Sequence, residues 1–342
     1  EVNESSLKYQ DLQFFLSQIV DPDRIRIFLP DPRKKVIVIS GPTAVGKTEL
    51  SLHLARALGG EIISADSMQV YKGMDIGTAK VSITERQATP HHLIDIRDLC
   101  DMFNVADFYE EAMHRIQEIH EKGSIPVVVG GTGFYLHALI YGPPSGPPSI
   151  ESVRERLEQE WHSQGAEFMW KKLQERDAEY VCTITKNDKQ KIIRALEIIE
   201  ISGKKVSDFL SYSQEPQKYN FRCWFLYMPK EILYRKIEQR CDQMLAQGFL
   251  DEVRLLENQG LRSNSSASQA IGYRQCLEFL SSPQDVNDWD HLVSSFKQAS
   301  RRYAKRQFTW FRKEPLFRWI HREDFSLQHA LEMILQDAEL SL

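Results

Sequence analysis

The chain has 342 residues, 42% of them hydrophobic and 27% charged, with a formal net charge of −5. This composition excludes a disordered chain and leaves room for two domains. Its five cysteines are widely spaced without a C-x-x-C pair, which argues against a disulfide framework or a zinc site, and no apolar run approaches the ~20 residues of a membrane helix. We therefore expect a cytoplasmic protein that does not associate with membranes.

Residues 1–34 are predicted to form a peripheral extension. Leu12, Phe14, Phe15, Leu16 and Ile19 have the spacing of a short helix, and Pro30 and Pro32 mark a linker to the first strand. We assign no function to this extension.

A phosphate-binding loop follows the first predicted strand, which is the apolar run 36–39. Residues 41–48 fit the pattern G-x-x-x-x-G-K-[ST], and a helical pattern begins directly after them. The loop consists of Gly41, Pro42, Thr43, Ala44, Val45, Gly46, Lys47 and Thr48. Its backbone amides and Lys47 are expected to bind a di- or triphosphate, and the Thr48 hydroxyl to contact a phosphate-bound Mg²⁺.

Asp66 lies at the end of the second predicted strand, 61–64. In a parallel sheet this end opens into the ligand crevice, so Asp66 is a candidate catalytic carboxylate. A helix-capping role for Asp66 remains an alternative. The adjacent His91 and His92 have the pattern of an edge strand or loop, and we favour a structural role for them because neighbouring strand residues face opposite sides.

A glycine-rich turn, 130–133, follows another buried strand at 125–129. Because its glycines allow close backbone approach, Thr132 is expected to lie at the same edge of the sheet as Gly41 and Asp66. A tight turn without a function remains an alternative.

The proline-rich segment 143–148 is the clearest domain boundary. Helical patterns without strands follow it, and strand character returns at 221–227. We expect an α/β fold, with a P-loop NTPase-like parallel sheet flanked by helices and a helical insertion domain. The predicted catalytic core covers 35–145 and 219–324, the insertion 146–218, and a C-terminal tail helix 325–342.

A basic, aromatic stretch lies between Lys297 and Arg318. It contains eight Lys and Arg side chains against one carboxylate, that of Glu314, and five interleaved aromatic side chains, with Trp319 directly after it. Such a stretch can bind RNA, with cations on phosphates and aromatic rings on bases. A helix with a solvated basic face and its aromatic side chains in the core explains the pattern equally well.

Several longer motifs resemble those of the tRNA dimethylallyltransferases of the bacterial type. They occur in the order GPTAVGKT (41–48), DSMQVYKGMDIGTAK (66–80), VVVGGTGFYLHAL (127–139), IEQR (237–240), AIGYRQ (270–275) and AKRQFTWFR (304–312). The resemblance implies transfer of a dimethylallyl group from dimethylallyl diphosphate to N6 of adenosine 37, beside the anticodon, in tRNAs that read codons starting with U. The implied partners are the tRNA anticodon stem-loop and the prenyl diphosphate.

The resemblance also implies roles for individual residues. Asp66 corresponds to the catalytic aspartate, and Thr132 and Arg240 to groups that contact the diphosphate. The residues implied in tRNA binding are Asp66, Ser67, Met68, Gln69, Thr132, Arg154, Gln190, Lys191, Arg194, Gln269, Gly272, Tyr273 and Arg274. Mg²⁺ is the expected cofactor and a monomer the expected state.

Two other classes of protein remain alternatives. A small-molecule or nucleoside kinase would use the same loop to bind ATP. A non-catalytic RNA-binding module would leave the phosphate loop and Asp66 without a purpose.

Overall fold

The computed structural model describes residues 32–143, 146–182, 184–209 and 217–340. Most of the predicted N-terminal extension, including its short helix, lies outside these residues. Within them the chain divides into two compact units, one from residues up to 140 and from 217 onward, the other from 141–216. No helix in the described ranges is both long and apolar enough to cross a membrane.

The larger unit is built on a six-stranded parallel sheet. Its strands are β1 (Lys35–Ser40), β2 (Glu61–Ser64), β3 (His91–His92), β4 (Pro126–Val129), β5 (Asn220–Tyr227) and β6 (Phe317–His321). Their spatial order is β3-β2-β4-β1-β5-β6, and every neighbouring pair is parallel. Because both faces of a parallel sheet are covered, its central strands β1 and β4 are mostly apolar, and all residues of β1 after Lys35 are buried.

Helices cover this sheet. Those of the larger unit are α1 (Lys47–Leu58), α2 (Ile83–Ala88), α3 (Val105–Glu121), α4 (Gly133–Tyr141), α9 (Lys230–Ala246), α10 (Phe249–Asn258), α11 (Tyr273–Leu280), α12 (Val286–Phe311) and α13 (Leu327–Leu340). Local signals explain several ends: Asn104 forms a capping box at the start of α3, and Gly59 takes a left-handed conformation after α1.

The smaller unit contains only helices among its described residues: α5 (Glu151–Gln164), α6 (Ala166–Arg176), α7 (Ala178–Val181) and α8 (Lys189–Ser202). Leu157, Met169, Leu173, Ile192 and Ile193 are fully buried in its own core. The predicted fold class, a P-loop sheet with a helical insertion, is therefore confirmed. The predicted tail helix, observed as α13, belongs to the larger unit.

Register brings the ends of three strands together. Val129, the last residue of β4, pairs with Ile39 of β1 and with Ser64 of β2. The residues that follow these strands, starting at Gly41, Ala65 and Gly130, therefore lie side by side at the carboxyl edge of the sheet.

Candidate functional site

The phosphate loop connects β1 to α1. A side chain at Gly41 would place its Cβ 2.7 Å from the Leu226 carbonyl oxygen, and Gly46 has a φ of 96°, so both positions require glycine. The Lys47 ammonium donates hydrogen bonds to the carbonyl oxygens of Gly41 (2.8 Å) and Pro42 (2.9 Å). The loop thus curls around the lysine at the start of α1, where backbone amides and the helix dipole favour an anion.

One cavity of about 830 Å³ joins the loop to the other predicted catalytic residues. Asp66, Thr132 and Arg240 all line it. Further residues predicted to bind the diphosphate or the tRNA also line this cavity: Thr43, Ala44, Val45, Gly46, Lys47, Thr48, Ser67, Met68, Gln69, Gln269 and Tyr273. The cavity is not lined by Gly41, Pro42, Gly272 or Arg274.

The two carboxylate oxygens of Asp66 differ in their hydrogen bonds. Oδ1 accepts hydrogen bonds from the backbone amides of Met68 (2.8 Å) and Gln69 (3.2 Å) and so stabilises a turn. The helix-capping alternative is wrong, because the next helix begins only at Ile83. Oδ2 accepts no hydrogen bond from the residues that the structure describes. The carboxylate is therefore held in place through one oxygen while the other remains able to accept a proton.

Thr132 meets the Asp66 loop and helix α12. Its hydroxyl oxygen accepts a hydrogen bond from the Ser67 amide at 3.3 Å. The Tyr303 hydroxyl lies 3.5 Å from the Gly131 carbonyl oxygen and interacts with the Thr132 side chain. Burial raises the pKa of Tyr303 to about 12, with a further contribution from the charge of Asp66, so the phenol is protonated at neutral pH.

Two cations face the cavity, Lys47 and Arg240. Burial and, to a lesser extent, the charge of Arg240 lower the pKa of Lys47 to about 7, and the charge of Asp66 opposes both. Burial also lowers the pKa of Arg240, again opposed by Asp66. A bound anion would relieve both penalties, because it favours the charged form of each side chain.

The segment 75–77 beside the cavity is held by Glu252 of α10. The Glu252 carboxylate accepts hydrogen bonds from the amides of Asp75 (3.0 Å) and Ile76 (2.7 Å) and from the Tyr273 hydroxyl (2.6 Å). Burial, together with the Glu252 charge, raises the pKa of Tyr273 well above its usual value. Of the predicted tRNA residues in AIGYRQ, Tyr273 is thus buried in this hydrogen-bonded cluster, whereas exposed Arg274 pairs with Glu278.

The helical unit carries the other predicted tRNA residues. Arg154 donates a hydrogen bond to the Gln190 side chain at 2.9 Å, and Lys191 pairs with Asp188 at 2.9 Å. Arg194 donates to the buried carboxylate of Glu197 at 2.8 Å and to the Pro147 carbonyl at 2.6 Å. Arg154 and Gln190 are therefore neighbours, and the two hydrogen bonds of Arg194 stabilise the helical unit.

The basic stretch is divided by the structure. Arg302, Lys305, Arg306, Arg312 and Lys313 are exposed and have no ion-pair partner among the described residues. Three other cations are already paired: Lys297 with Asp242, Arg301 with Glu238, and buried Arg318 with Asp337.

Of the two interpretations left open by the sequence, packing in the core accounts for several aromatic side chains of this stretch. Phe308 and Phe311 pack on Phe225 of β5, and Phe317 packs on Phe311. Trp310 contacts Phe134 and His137 edge to face. Apolar burial therefore accounts for these rings, while exposed cations remain available on the same helix.

Two further observations concern residues at the sheet edge. His92 pairs with Glu61 at 2.9 Å and His91 contacts the Thr89 carbonyl, which agrees with their predicted structural role. Gln307 was not singled out from the sequence, although it is buried and lines the cavity. No local pattern distinguishes it from the basic residues around it.

The protein is a P-loop protein with a site for a phosphate-bearing ligand. This class is defined here by a strand, the phosphate loop and a helix in succession, with a carboxylate facing the loop. The family model for IPP transferase matches residues 69–314. A tRNA dimethylallyltransferase of Protochlamydia amoebophila is 57% identical over 310 residues, which cover 90% of each chain.

Solved structures agree with this match. The tRNA isopentenylpyrophosphate transferase of Bacillus halodurans is 39% identical with a TM-score of 0.66, over 90% of this chain and 98% of that one. A eukaryotic dimethylallyltransferase acting on tRNA is 30% identical with a TM-score of 0.72, over 88% and 78% of the two chains. The chain belongs to the tRNA dimethylallyltransferase (IPP transferase) family.

Proposed function

We propose that the protein transfers the dimethylallyl group of dimethylallyl diphosphate to N6 of the adenosine on the 3′ side of the tRNA anticodon, adenosine 37. One observation carries this proposal: a single cavity holds the phosphate loop, the Asp66 carboxylate and the Arg240 guanidinium. The family membership supports the identity of both substrates.

Asp66 serves as the general base. The exocyclic amine of adenine is a weak nucleophile, because its lone pair is delocalised into the ring. As N6 attacks C1 of the dimethylallyl group, the C1–O bond breaks and one N6 proton passes to Oδ2, the oxygen free of backbone hydrogen bonds. A positioned base contributes about 10²–10⁴-fold to such a step.

The departing diphosphate is stabilised by donors already in place. Lys47, Arg240, the Thr132 hydroxyl and the amides of the phosphate loop face the same cavity. Each stabilises the negative charge that develops on the leaving oxygen, and donors that are already in position do so without reorganisation.

The residues present fit Mg²⁺ bound through the substrate. In the described part of the chain no group of three or more His, Cys, Asp or Glu side chains could hold a metal. The exposed Thr48 hydroxyl at the start of α1 lines the cavity, and Mg²⁺ is commonly held by one or two protein oxygens together with substrate phosphates. Mg²⁺ would neutralise diphosphate charge there.

The tRNA is bound by the exposed cations of α12 and by the helical unit, through Arg154, Gln190, Lys191 and Arg194. The target adenosine has to leave the base stack to reach a cavity at the sheet edge. The five free thiols support a reducing, cytoplasmic location. That the protein acts as a monomer stays a prediction.

The proposal is tested with dimethylallyl diphosphate labelled in the prenyl group and an unmodified anticodon stem-loop RNA. We expect the label to enter the RNA with release of one diphosphate per label. The matched control is the same RNA with inosine at the target position, which lacks the N6 amine and should remain unlabelled.

The same assay decides the kinase alternative. A kinase would leave the RNA unlabelled and consume ATP with a phosphorylated product. Unlabelled adenosine RNA, under conditions in which the protein binds both substrates, would contradict the proposed transfer.

A further inference from the structure

Gln307 lies on α12, the helix that carries the exposed cations. It lines the cavity and is only 5% exposed, whereas its neighbours Lys305 and Arg306 are exposed. A buried side-chain amide requires hydrogen-bond partners, because leaving one unsatisfied costs about 1–3 kcal/mol.

The partners of Gln307 come from two different loops. Its Oε1 accepts a hydrogen bond from the Thr43 amide of the phosphate loop at 3.2 Å, and its Nε2 donates to the Gly131 carbonyl at 3.1 Å. These two backbone groups determine the orientation of the Gln307 side-chain amide, because a backbone N–H requires an acceptor and a carbonyl requires a donor. One side chain therefore joins the phosphate loop to the turn that carries Thr132.

A side chain at Gly131 would displace the Gln307 amide from its position. A Cβ there would lie 2.3 Å from Gln307 Nε2 and 3.4 Å from the Gly41 carbonyl oxygen. Tyr303, one helical turn before Gln307, places its hydroxyl 3.5 Å from the same Gly131 carbonyl. Loop, turn and helix thus meet at one backbone position.

We propose that Gln307 is a positioning residue for the diphosphate: it holds the phosphate loop and the Thr132 turn at the spacing at which both contact one ligand. This inference rests on the proposed function of the cavity. It adds to the site a residue that contacts the two ligand-binding loops rather than the ligand itself. A misplacement of about 1 Å at a reactive site can reduce a rate about 100-fold, so the spacing of two ligand-bearing loops has a direct effect on transfer.

The test uses Gln307→Ala, which removes both hydrogen bonds, and Gln307→Glu, which keeps an acceptor for the Thr43 amide but cannot donate to Gly131. Inorganic pyrophosphate with Mg²⁺ is titrated calorimetrically, and the transfer assay gives kcat and KM for each substrate. We expect the Kd of pyrophosphate to rise about five- to tenfold for Gln307→Ala, from the loss of two hydrogen bonds, and more for Gln307→Glu, which adds negative charge. The KM for RNA should stay within about twofold of the parent, because Gln307 contacts the loops rather than the exposed face.

Thr309→Ala is the matched control, since Thr309 is exposed on the same helix and its hydroxyl only returns to the Lys305 carbonyl. A purely structural role for Gln307 would lower the melting temperature and leave the Kd of the folded protein unchanged, which would overturn the inference. If Gln307→Ala does not fold, Gln307→Asn, one methylene shorter, replaces it. Pyrophosphate binding is measured without RNA, so absence of transfer by the parent would contradict the proposed function while the titration still decides the role of Gln307.

Discussion

The side chains of Lys47 and Arg240 face one cavity from two different helices, and the charge of Arg240 lowers the pKa of Lys47. Two like charges held close together carry an electrostatic cost in the free protein, which the charge of Asp66 offsets only in part. That cost is recovered when a diphosphate binds between them, so the site favours highly charged ligands.

The first prediction concerns proton uptake on binding. With a pKa of about 7, Lys47 is mostly neutral at pH 8, and a bound diphosphate raises that pKa again. Binding therefore takes up protons above pH 7, and affinity falls as the pH rises towards the pKa of the bound state. Titration of pyrophosphate at pH 8, in two buffers of different ionisation enthalpy, measures this uptake. Lys47→Arg is the control, because arginine stays charged throughout; equal uptake by both proteins would contradict the assignment.

The second prediction concerns the base. Asp66→Asn keeps an oxygen that can accept the Met68 and Gln69 amides, so the local turn should survive. We expect single-turnover transfer to fall by about 10²–10⁴-fold, with pyrophosphate affinity nearly unchanged. Asp66→Ala should lose the same activity and also the turn, which thermal unfolding would detect. Transfer by Asp66→Asn within a few-fold of the parent would exclude Asp66 as the base.

The third prediction separates Tyr303 from Thr132. Tyr303→Phe removes the hydroxyl that contacts the Thr132 turn and should reduce kcat about three- to tenfold, as expected for one hydrogen bond. In a Thr132→Val background the same change should have little further effect, because Tyr303 would act through Thr132. If the fold reductions in kcat of the two single mutants multiply in the double mutant, the two hydroxyls act separately.

The fourth prediction concerns the exposed face of α12. Replacing Arg302 and Lys305 with alanine removes two exposed cations without ion-pair partners in the described structure. We expect weaker tRNA binding and a log–log salt slope about 1 to 2 units flatter, with pyrophosphate binding unchanged. The single variant Lys297→Ala, whose ammonium already pairs with Asp242, should change the slope less. If the double variant folds and keeps the salt slope of the parent, this face of α12 does not bind tRNA and is only a solvated surface.

The sequence was sufficient for the parts of the site that depend on local pattern. The phosphate loop, the strand ends and Asp66 follow from apolar runs, glycines and the rule that parallel strands present their carboxyl ends at one edge. The roles of Gln307 and Arg318 were not predictable, because both stand in a basic stretch and their partners come from distant segments: Gly131 for Gln307, Asp337 for Arg318. Only tertiary packing distinguishes such polar residues from exposed neighbours of similar type.

The buried charge cluster at β5 has a consequence for biosynthesis. Arg222, in the middle of that strand, pairs with Asp337 of α13, 115 residues later in the chain, and Arg318 of β6 shares the same carboxylate. Removing one partner of a buried ion pair costs about 3–5 kcal/mol, so this stabilisation of β5 depends on α13. During translation Arg222 and Arg318 lack this carboxylate until Asp337 has been made, so the ion pairs that join β5 and β6 to α13 form only near the end of synthesis.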